Sequence, residues 1–444
     1  MNPAAGEETI AAISTASGAA GICVVRISGA AACVVAARLF PSAPRWRAGT
    51  FFHSNIVDPR TREVIDDAVV LYFHSPQSYT GEDVVEIQGH GGAENPRRLL
   101  NAVLATGARP AEPGEFTKRA FLNGKLDLVQ AEAVADFIAA RSSRAARTAR
   151  HRLDGAAGRH LAALYDEAVA LDAELEHALD FTEDELPAEI LSSLDERLAK
   201  LAAALRTAAV EQRVMRRISE GALVALCGRP NAGKSSLLNA LLGDDRAIVS
   251  ATAGTTRDII EAELEINGVL VRLADTAGLR TGSDEIETEG VKRARELVSR
   301  ADLVLVLREG GDAAPWIELP EGVPTLRVVT KGDLMETVSP ADGLLVSART
   351  GAGLAELRAE IAAHLGLDRE PVEGAAATQR QAAALMAAAT ACEAAKGAFA
   401  QGGEGLVIAA TKLRVSAREL GRLLGRTYDE DVLDAVFSRF CVGK

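Results

Sequence analysis

The sequence contains no run of about 18 consecutive apolar residues, so no segment reads as a membrane-spanning helix. Its opening, MNPAAGEETI, has neither the basic start nor the apolar core of a signal peptide. Cysteine is scarce: Cys23, Cys33, Cys227, Cys392 and Cys441 are five in number, odd and scattered, which excludes a disulfide framework and a zinc ribbon. There is no HExxH or CxxC and no paired histidine spacing, so a protein-held transition metal is not expected. Positive charge is in deficit as well. Lys and Arg total 49 against 62 Asp and Glu, a net charge of −13, which argues against non-specific coating of DNA because that affinity comes from neutralising phosphates. These absences lead to the expectation of a cytoplasmic protein without integral membrane contact.

At 444 residues the chain has room for about two to four domains. Residues 1–120 carry short β-type runs at Gly21 to Ile27, Ala68 to Phe73 and Val84 to Gln88, with one helical stretch near Glu94 to Ala105. They predict a small α/β N-terminal domain. From 121 to 217 the composition turns to Ala, Leu, Arg and Glu, and Leu191, Leu194, Leu198, Leu201 and Leu205 recur at steps of three and four, the core seam of a helical bundle. Residues 218–368 alternate short apolar strands, beginning with Ala222 to Cys227, with helical patterns, and an Asn267-Gly268 pair marks a hairpin. Helical composition returns over 369–444. The fold class expected is multidomain, α/β plus all-α, with a Ras-like P-loop domain inserted into a discontinuous helical bundle. There is no internal repeat.

Gly228-Arg-Pro-Asn-Ala-Gly-Lys-Ser235 follows the first strand of the inserted domain and opens a helical run at Ser236, the context a phosphate-binding loop requires. In such a loop Asn231, Ala232, Gly233 and the helix start turn N–H groups to the phosphates, Lys234 reaches the β- and γ-phosphates and Ser235 holds Mg²⁺. Asp275-Thr276-Ala277-Gly278 is placed for the Mg²⁺ shell and the γ-phosphate, and Thr256 for a second hydroxyl ligand. Thr330-Lys331-Gly-Asp333 and Ser347-Ala348-Arg349 resemble guanine-reading loops, with Asp333 selecting GTP. Thr330 stands where such loops usually carry Asn, which predicts weaker tethering of the loop.

After Gly278 the chain has Leu279, where Ras-like enzymes use a Gln to orient water. Two compensations are visible. Asn231 with the Ser250 to Thr255 segment can cage a monovalent cation in the place of an arginine finger. A carboxylate can replace the Gln, and Asp284, Glu285, Glu287 and Glu289 are available, with Glu287 the preferred one.

With these motifs in hand, the chain resembles the tRNA uridine-modification GTPases of the MnmE (TrmE) family over essentially its whole length. The specific signals lie outside the nucleotide loops: Arg26-Ile-Ser-Gly29, the Thr80 to Gly92 segment, Pro113 to Leu128 with Gln130-Ala-Glu132, and Phe440-Cys-Val-Gly-Lys444. The resemblance implies a homodimer formed by an N-terminal domain that binds a 5-formyl-tetrahydrofolate-type donor through Arg26, Glu86, Lys125 and Lys444. It implies a K⁺-stimulated, dimerisation-activated GTPase in which Asn231, Ser250, Thr252 and Thr255 hold K⁺ and Glu287 is catalytic beside Lys234. It also implies a flavin-containing partner of the MnmG (GidA) type in a heterotetramer, acting on C5 of the wobble uridine of tRNA. The short stretch from Glu309 to Pro324 departs from the family pattern. The competing expectation is a GTPase switch in ribosome assembly that modifies nothing.

Arg141, Arg144, Arg147, Arg150, Arg152, Arg159 and His160 form a basic stripe at mostly helical spacing. It reads as a candidate tRNA-phosphate face, or as a solvated helix face paired with acids. His90, between glycines, reads as part of a tight turn rather than a base, and Cys227 as core.

Overall fold

The computed structural model describes residues 8–16, 18–42, 46–179, 188–229, 231–243, 261–275, 295–309, 322–335, 343–401, 404–428 and 430–444. The chain forms two compact units, one of residues 1–135, 153–158 and 421–444, the other of 136–152 and 159–420.

The first unit is built on β1 (Ile10–Ile13), β2 (Ile22–Ser28), β3 (Phe51–Val57), β4 (Val64–Phe73), β5 (Val84–His90) and β6 (Arg109–Pro110), ordered β3-β4-β5-β2-β1-β6. All pairings are antiparallel except that of β1 with β6. Alternation along the strands sends Cys23, Val25, Ile27, Val70, Val85 and Ile87 to one face, where helices Ala32–Ala37 and Asn95–Leu104 cover them. Arg26 and Glu86 occupy the intervening positions and are direct cross-strand partners, so the same alternation delivers both to the opposite face. Of these strands, β1, β3 and β6 carry no turn-bounded apolar run long enough to be read from sequence.

Helix Glu430–Phe437 and the residues after it also belong here. Leu433, Val436, Phe437 and Phe440 bury against Phe121, Leu128, Ala131 and Val134, and Pro113 bridges Val442. Composition groups 369–444 as one helical stretch and ends the N-terminal domain at 120. Packing divides the chain differently, because these two apolar faces complete each other and draw 121–135 and 421–444 into the first unit.

The second unit holds β7 (Ala222–Gly228), β8 (Glu261–Ile266), β9 (Val269–Asp275), β10 (Leu303–Glu309), β11 (Thr325–Thr330) and β12 (Leu344–Leu345), ordered β12-β11-β10-β7-β9-β8. Strand β7 is buried along its whole length and pairs in parallel with both β9 and β10. Leu226, Leu237, Leu305 and Leu357 pack on one face of this sheet, and Ala225, Val298 and Val304 on the other. Among the described strands only β8 runs antiparallel, joined to β9 through Asn267 and Gly268 with φ of 49° and 77°, the left-handed pair that a two-residue type I′ turn demands.

Helix Ala188–Val210 packs along helix Gln379–Phe399, with the Cys392 thiol donating to the Leu198 carbonyl at 3.5 Å. Leu194, Leu198, Leu201 and Leu205 are buried, so the leucine seam is bundle core, while Leu191 at its start is half-exposed. Leu198→Ala is therefore expected to destabilise this unit by about 2–5 kcal/mol, whereas Leu191→Ala costs less than about 1 kcal/mol. Urea unfolding followed by circular dichroism checks this; equal costs at the two positions would place the seam elsewhere.

Candidate functional site

Strand order fixes where the nucleotide loops converge. The two neighbours of β7 lead away on opposite sides, which opens a crevice at the carboxyl ends of the strands. Gly228, at the end of β7, lies so close to β10 that a Cβ there would sit 2.6 Å from the Leu307 carbonyl oxygen. The chain then turns through Asn231 and Gly233, both left-handed with φ of 63° and 81°, into helix Lys234–Gly243. Lys234 is 5% exposed, and its ammonium donates to the carbonyls of Gly228 and Arg229, each at 2.9 Å. A shielded ammonium ringed by loop carbonyls at a helix start is placed to receive phosphate oxygens.

Register places Leu226 of β7 beside Asp275, the last residue of β9. The Ser235 hydroxyl, one residue into the helix, donates to Asp275 Oδ2 at 3.2 Å. A hydroxyl and a buried carboxylate at that separation are hard oxygen donors of the kind Mg²⁺ takes, so the residues present fit that ion.

The base-reading side is equally defined. Buried Thr330 ends β11, and its hydroxyl lies 2.8 Å from the Ala232 carbonyl of the phosphate loop and 3.2 Å from the Arg308 carbonyl of β10. The tether expected to be weakened is thus present, with one proton shared between two acceptors. Lys331 is left-handed, with φ of 59°, and its ammonium meets Glu309 at 2.8 Å. The Ser347 hydroxyl donates to Asp333 Oδ1 at 2.8 Å and holds this carboxyl below the usual carboxylate range, with Arg349 adding to the effect. The Ser347 carbonyl accepts from the Gly351 amide, which closes the turn carrying Ala348. Ser236 follows Ser235 on the same helix. Ser250, Thr252, Thr255, Thr256, Thr276, Ala277, Gly278 and Glu287 lie outside the described residues.

A second polar cluster stands in the first unit. Arg26 Nε donates to Glu86 Oε1 at 2.8 Å, and the guanidinium lies 5.5 Å from the Tyr79 ring centre and 5.6 Å from that of Phe116. Burial, and then the charge of Arg26, push the Lys444 ammonium down, while Glu86 opposes them. Lys444 is brought there by Gly443, whose φ of +99° and close approach leave no space for a side chain: a Cβ would lie 2.2 Å from the Ile13 carbonyl. The Ser14 hydroxyl donates to the Gly443 carbonyl at 3.1 Å. Of the four anticipated residues, Arg26 and Glu86 are therefore in direct contact, and Lys444 lies within reach of both charges. Lys125 instead donates to the Pro76 carbonyl at 3.0 Å. Tyr79 and Phe116 escape sequence reasoning because nothing in their spacing relates them to Arg26.

Other conspicuous residues have structural tasks. Arg119, 3% exposed, bonds Glu82 and Glu115, and Ser28 donates to Glu82, which ties three of the diagnostic segments into one ion network. His90 Nδ1 lies 2.8 Å from Asp66 Oδ1, and Asp66 also accepts from the backbone amides of Asp67 and His90 and from the Asn95 amide. His90 is thus the last residue of β5, paired with Ile22, rather than part of a turn, and Asp66, with its lone pairs so occupied, ties that strand end to the start of helix Asn95–Leu104. The basic stripe is not a single solvent face. Arg144 and Arg152 are buried, the latter on Asp136, and Arg141 pairs with Glu263 at 2.7 Å.

Comparison with known proteins agrees with this arrangement. Residues 9–125 match the model described as GTP-binding protein TrmE N-terminus, and residues 128–441 match the MnmE helical domain. The protein of Synechococcus sp. (strain RCC307) named tRNA modification GTPase MnmE is 40% identical over the full length of both chains. Its namesake from Bordetella petrii is 44% identical over 98% of each chain. A namesake from Thermus thermophilus is 43% identical over 98% of this chain and 99% of its own. With both its N-terminal and helical segments matched and its length shared with these relatives, the chain belongs to the MnmE (TrmE) family.

Proposed function

We propose that the chain is a GTP hydrolase acting in tRNA modification, and that its GTPase cycle is stimulated by K⁺ and driven by pairing of two copies. The observation that carries the GTP reading is the convergence of Lys234, the Ser235–Asp275 pair and the Ser347–Asp333 pair at the carboxyl ends of one sheet. Lys234 neutralises the β- and γ-phosphate oxygens. Ser235 and Asp275 hold Mg²⁺, which when bound spreads charge over the phosphates. Asp333, kept ionised by Ser347, accepts from the N–H groups of guanine, a pattern that adenine does not offer. Glu287 orients the attacking water, and Asn231, Ser250, Thr252 and Thr255 hold K⁺ against the transition-state charge. Family membership through residues 9–125 and 128–441, rather than the phosphate loop alone, puts this reading ahead of a ribosome-assembly switch.

In the first unit Arg26, Glu86 and Lys444 are proposed to take the carboxylate and polar ring edges of a 5-formyl-tetrahydrofolate-type donor, with Lys125 as a fourth contact. Tyr79 and Phe116 supply apolar faces beside Arg26. The full reading is completed by a homodimer and a flavin-containing MnmG-type partner that modify C5 of the wobble uridine together.

Hydrolysis of GTP in KCl against NaCl at equal ionic strength tests the nucleotide half. Rates on the order of tenfold or more higher in KCl, lost in Glu287→Ala, are expected; equal rates in both salts would remove K⁺ from the site. Thr330→Val keeps the volume but leaves the Ala232 and Arg308 carbonyls without their shared donor. It is expected to weaken GTP binding by about 1–2 kcal/mol, with Thr330→Ser near the original value, as read by isothermal titration. Gly443→Ala drives a methyl into the Ile13 carbonyl and displaces Lys444. Folate binding should fall sharply while GTP hydrolysis persists, and undiminished folate binding would detach Lys444 from that site.

A further inference from the structure

Helix Ser143–Leu153, whose basic residues suggest a nucleic-acid face, is instead engaged with the β8–β9 hairpin. The Arg144 amide donates to the Gly268 carbonyl at 3.0 Å, so the helix starts on the hairpin tip. Its guanidinium, 3% exposed, donates through Nη1 to the Leu367 carbonyl at 2.6 Å and through Nη2 to the Arg369 carbonyl, with Glu370 at 3.6 Å. The Asn267 side chain donates to the same Leu367 carbonyl at 3.3 Å. The tip and the arginine therefore meet on one acceptor. Along β8, Glu263 bonds Arg141 and Glu265 accepts from Ser143 at 3.1 Å.

The position of this hairpin gives the contact its meaning. In the sheet β8 is an edge strand held only through β9, and β9 ends at Asp275, beside Ser235. In sequence, β8 follows directly on the segment containing Thr255 and Thr256, and β9 leads into Thr276 to Glu287. The base of β9 at Asp275 therefore stands at the proposed Mg²⁺ site, while the Gly268 tip lies seven residues away along the strand, about 23 Å at about 3.3 Å per residue. A stiff two-stranded ribbon fixed at both ends transmits a displacement rather than absorbing it. The tip is held by a buried guanidinium on backbone carbonyls, charge-assisted bonds whose fixed fork allows one arrangement of tip and segment.

On the reading that Lys234, Ser235 and Asp275 bind GTP and Mg²⁺, we infer that Arg144 is a positioning residue coupling nucleotide state to the helical domain: it locks the β8–β9 tip to helix Ser143–Leu153 and the 367–370 segment, so that movement at Asp275 is delivered to that helix.

The test is amide hydrogen exchange on the full chain with Mg²⁺ and a non-hydrolysable GTP analogue, for the unaltered protein, Arg144→Met and Asn267→Gly. The glycine variant keeps the left-handed turn and deletes only the bond to Leu367, so it remains informative should Arg144→Met fail to fold. In the unaltered protein the analogue should protect the phosphate loop and alter exchange in both Val269–Asp275 and Ser143–Leu153. In the variants the first two responses persist, and the helix response falls on the order of fivefold or more in Arg144→Met and measurably, but less, in Asn267→Gly, which keeps the Arg144 bonds. A merely structural brace would lower protection of the helix with and without nucleotide alike and leave the nucleotide-dependent difference intact, which overturns the inference. So does a helix that never responds although the phosphate loop is protected. Failure of the analogue to protect the phosphate loop at all would strike the nucleotide reading itself, and this inference with it.

Discussion

Parallel pairing of β7 with strands on both sides is the constraint from which the nucleotide end of the molecule follows. Such a strand must be apolar on both faces, and Ala222 to Cys227 is. Once it is buried centrally, its carboxyl end becomes the place where two connections part, and the loop after it is left beside the end of β9. The Leu226–Asp275 register then sets the distance between a loop hydroxyl and a buried carboxylate. The two proposed Mg²⁺ ligands, Ser235 and Asp275, are thus spaced by sheet geometry rather than by loop conformation alone.

The first unit solves a different problem. Its mainly antiparallel sheet has an apolar face under helices and a second face on which partly and fully buried charges are matched. Arg26 with Glu86, and Arg119 with Glu82 and Glu115, do this through bonds that cross strands and helices far apart in sequence. Removing these charges from water, wholly at Arg119 and Glu115 and partly at the others, costs desolvation, so the pairs add little net stability and instead fix the relative placement of the segments that carry them.

Much of this was legible in the chain. Strand β7, the glycines of the phosphate loop and the Asn267-Gly268 turn declare themselves because each is governed by a local rule: burial on both faces, positive φ, or turn handedness. The leucine seam was legible because helical periodicity is local too. Partnership over long separations was not. Arg144 looks like a surface arginine by spacing, and only the chain at 367–370 turns it inward. Likewise nothing in residues 430–440 states that their apolar face belongs with Phe121 and Leu128 rather than with the neighbouring bundle. Thr330 shows the same limit in reverse: by residue type it is a weaker tether than Asn, yet its setting between two carbonyls lets one hydroxyl span both loops.

The seating of Gly443 and Lys444 has a consequence for how the protein is made. Ser14 and Gly443 are 429 residues apart, and Lys118 and Asp434 are 316 apart. The strands of the first unit are translated first, but the last part of its core arrives only with residues 433–440. During synthesis the earliest-made unit therefore waits, with Phe121 and Leu128 uncovered, while the entire nucleotide domain is threaded out and has time to fold. Such late closure makes the nascent chain a natural client for chaperones that shield apolar surface. It also means that a chain released before residues 433–440 are made has a finished nucleotide domain and a first domain whose core is still open.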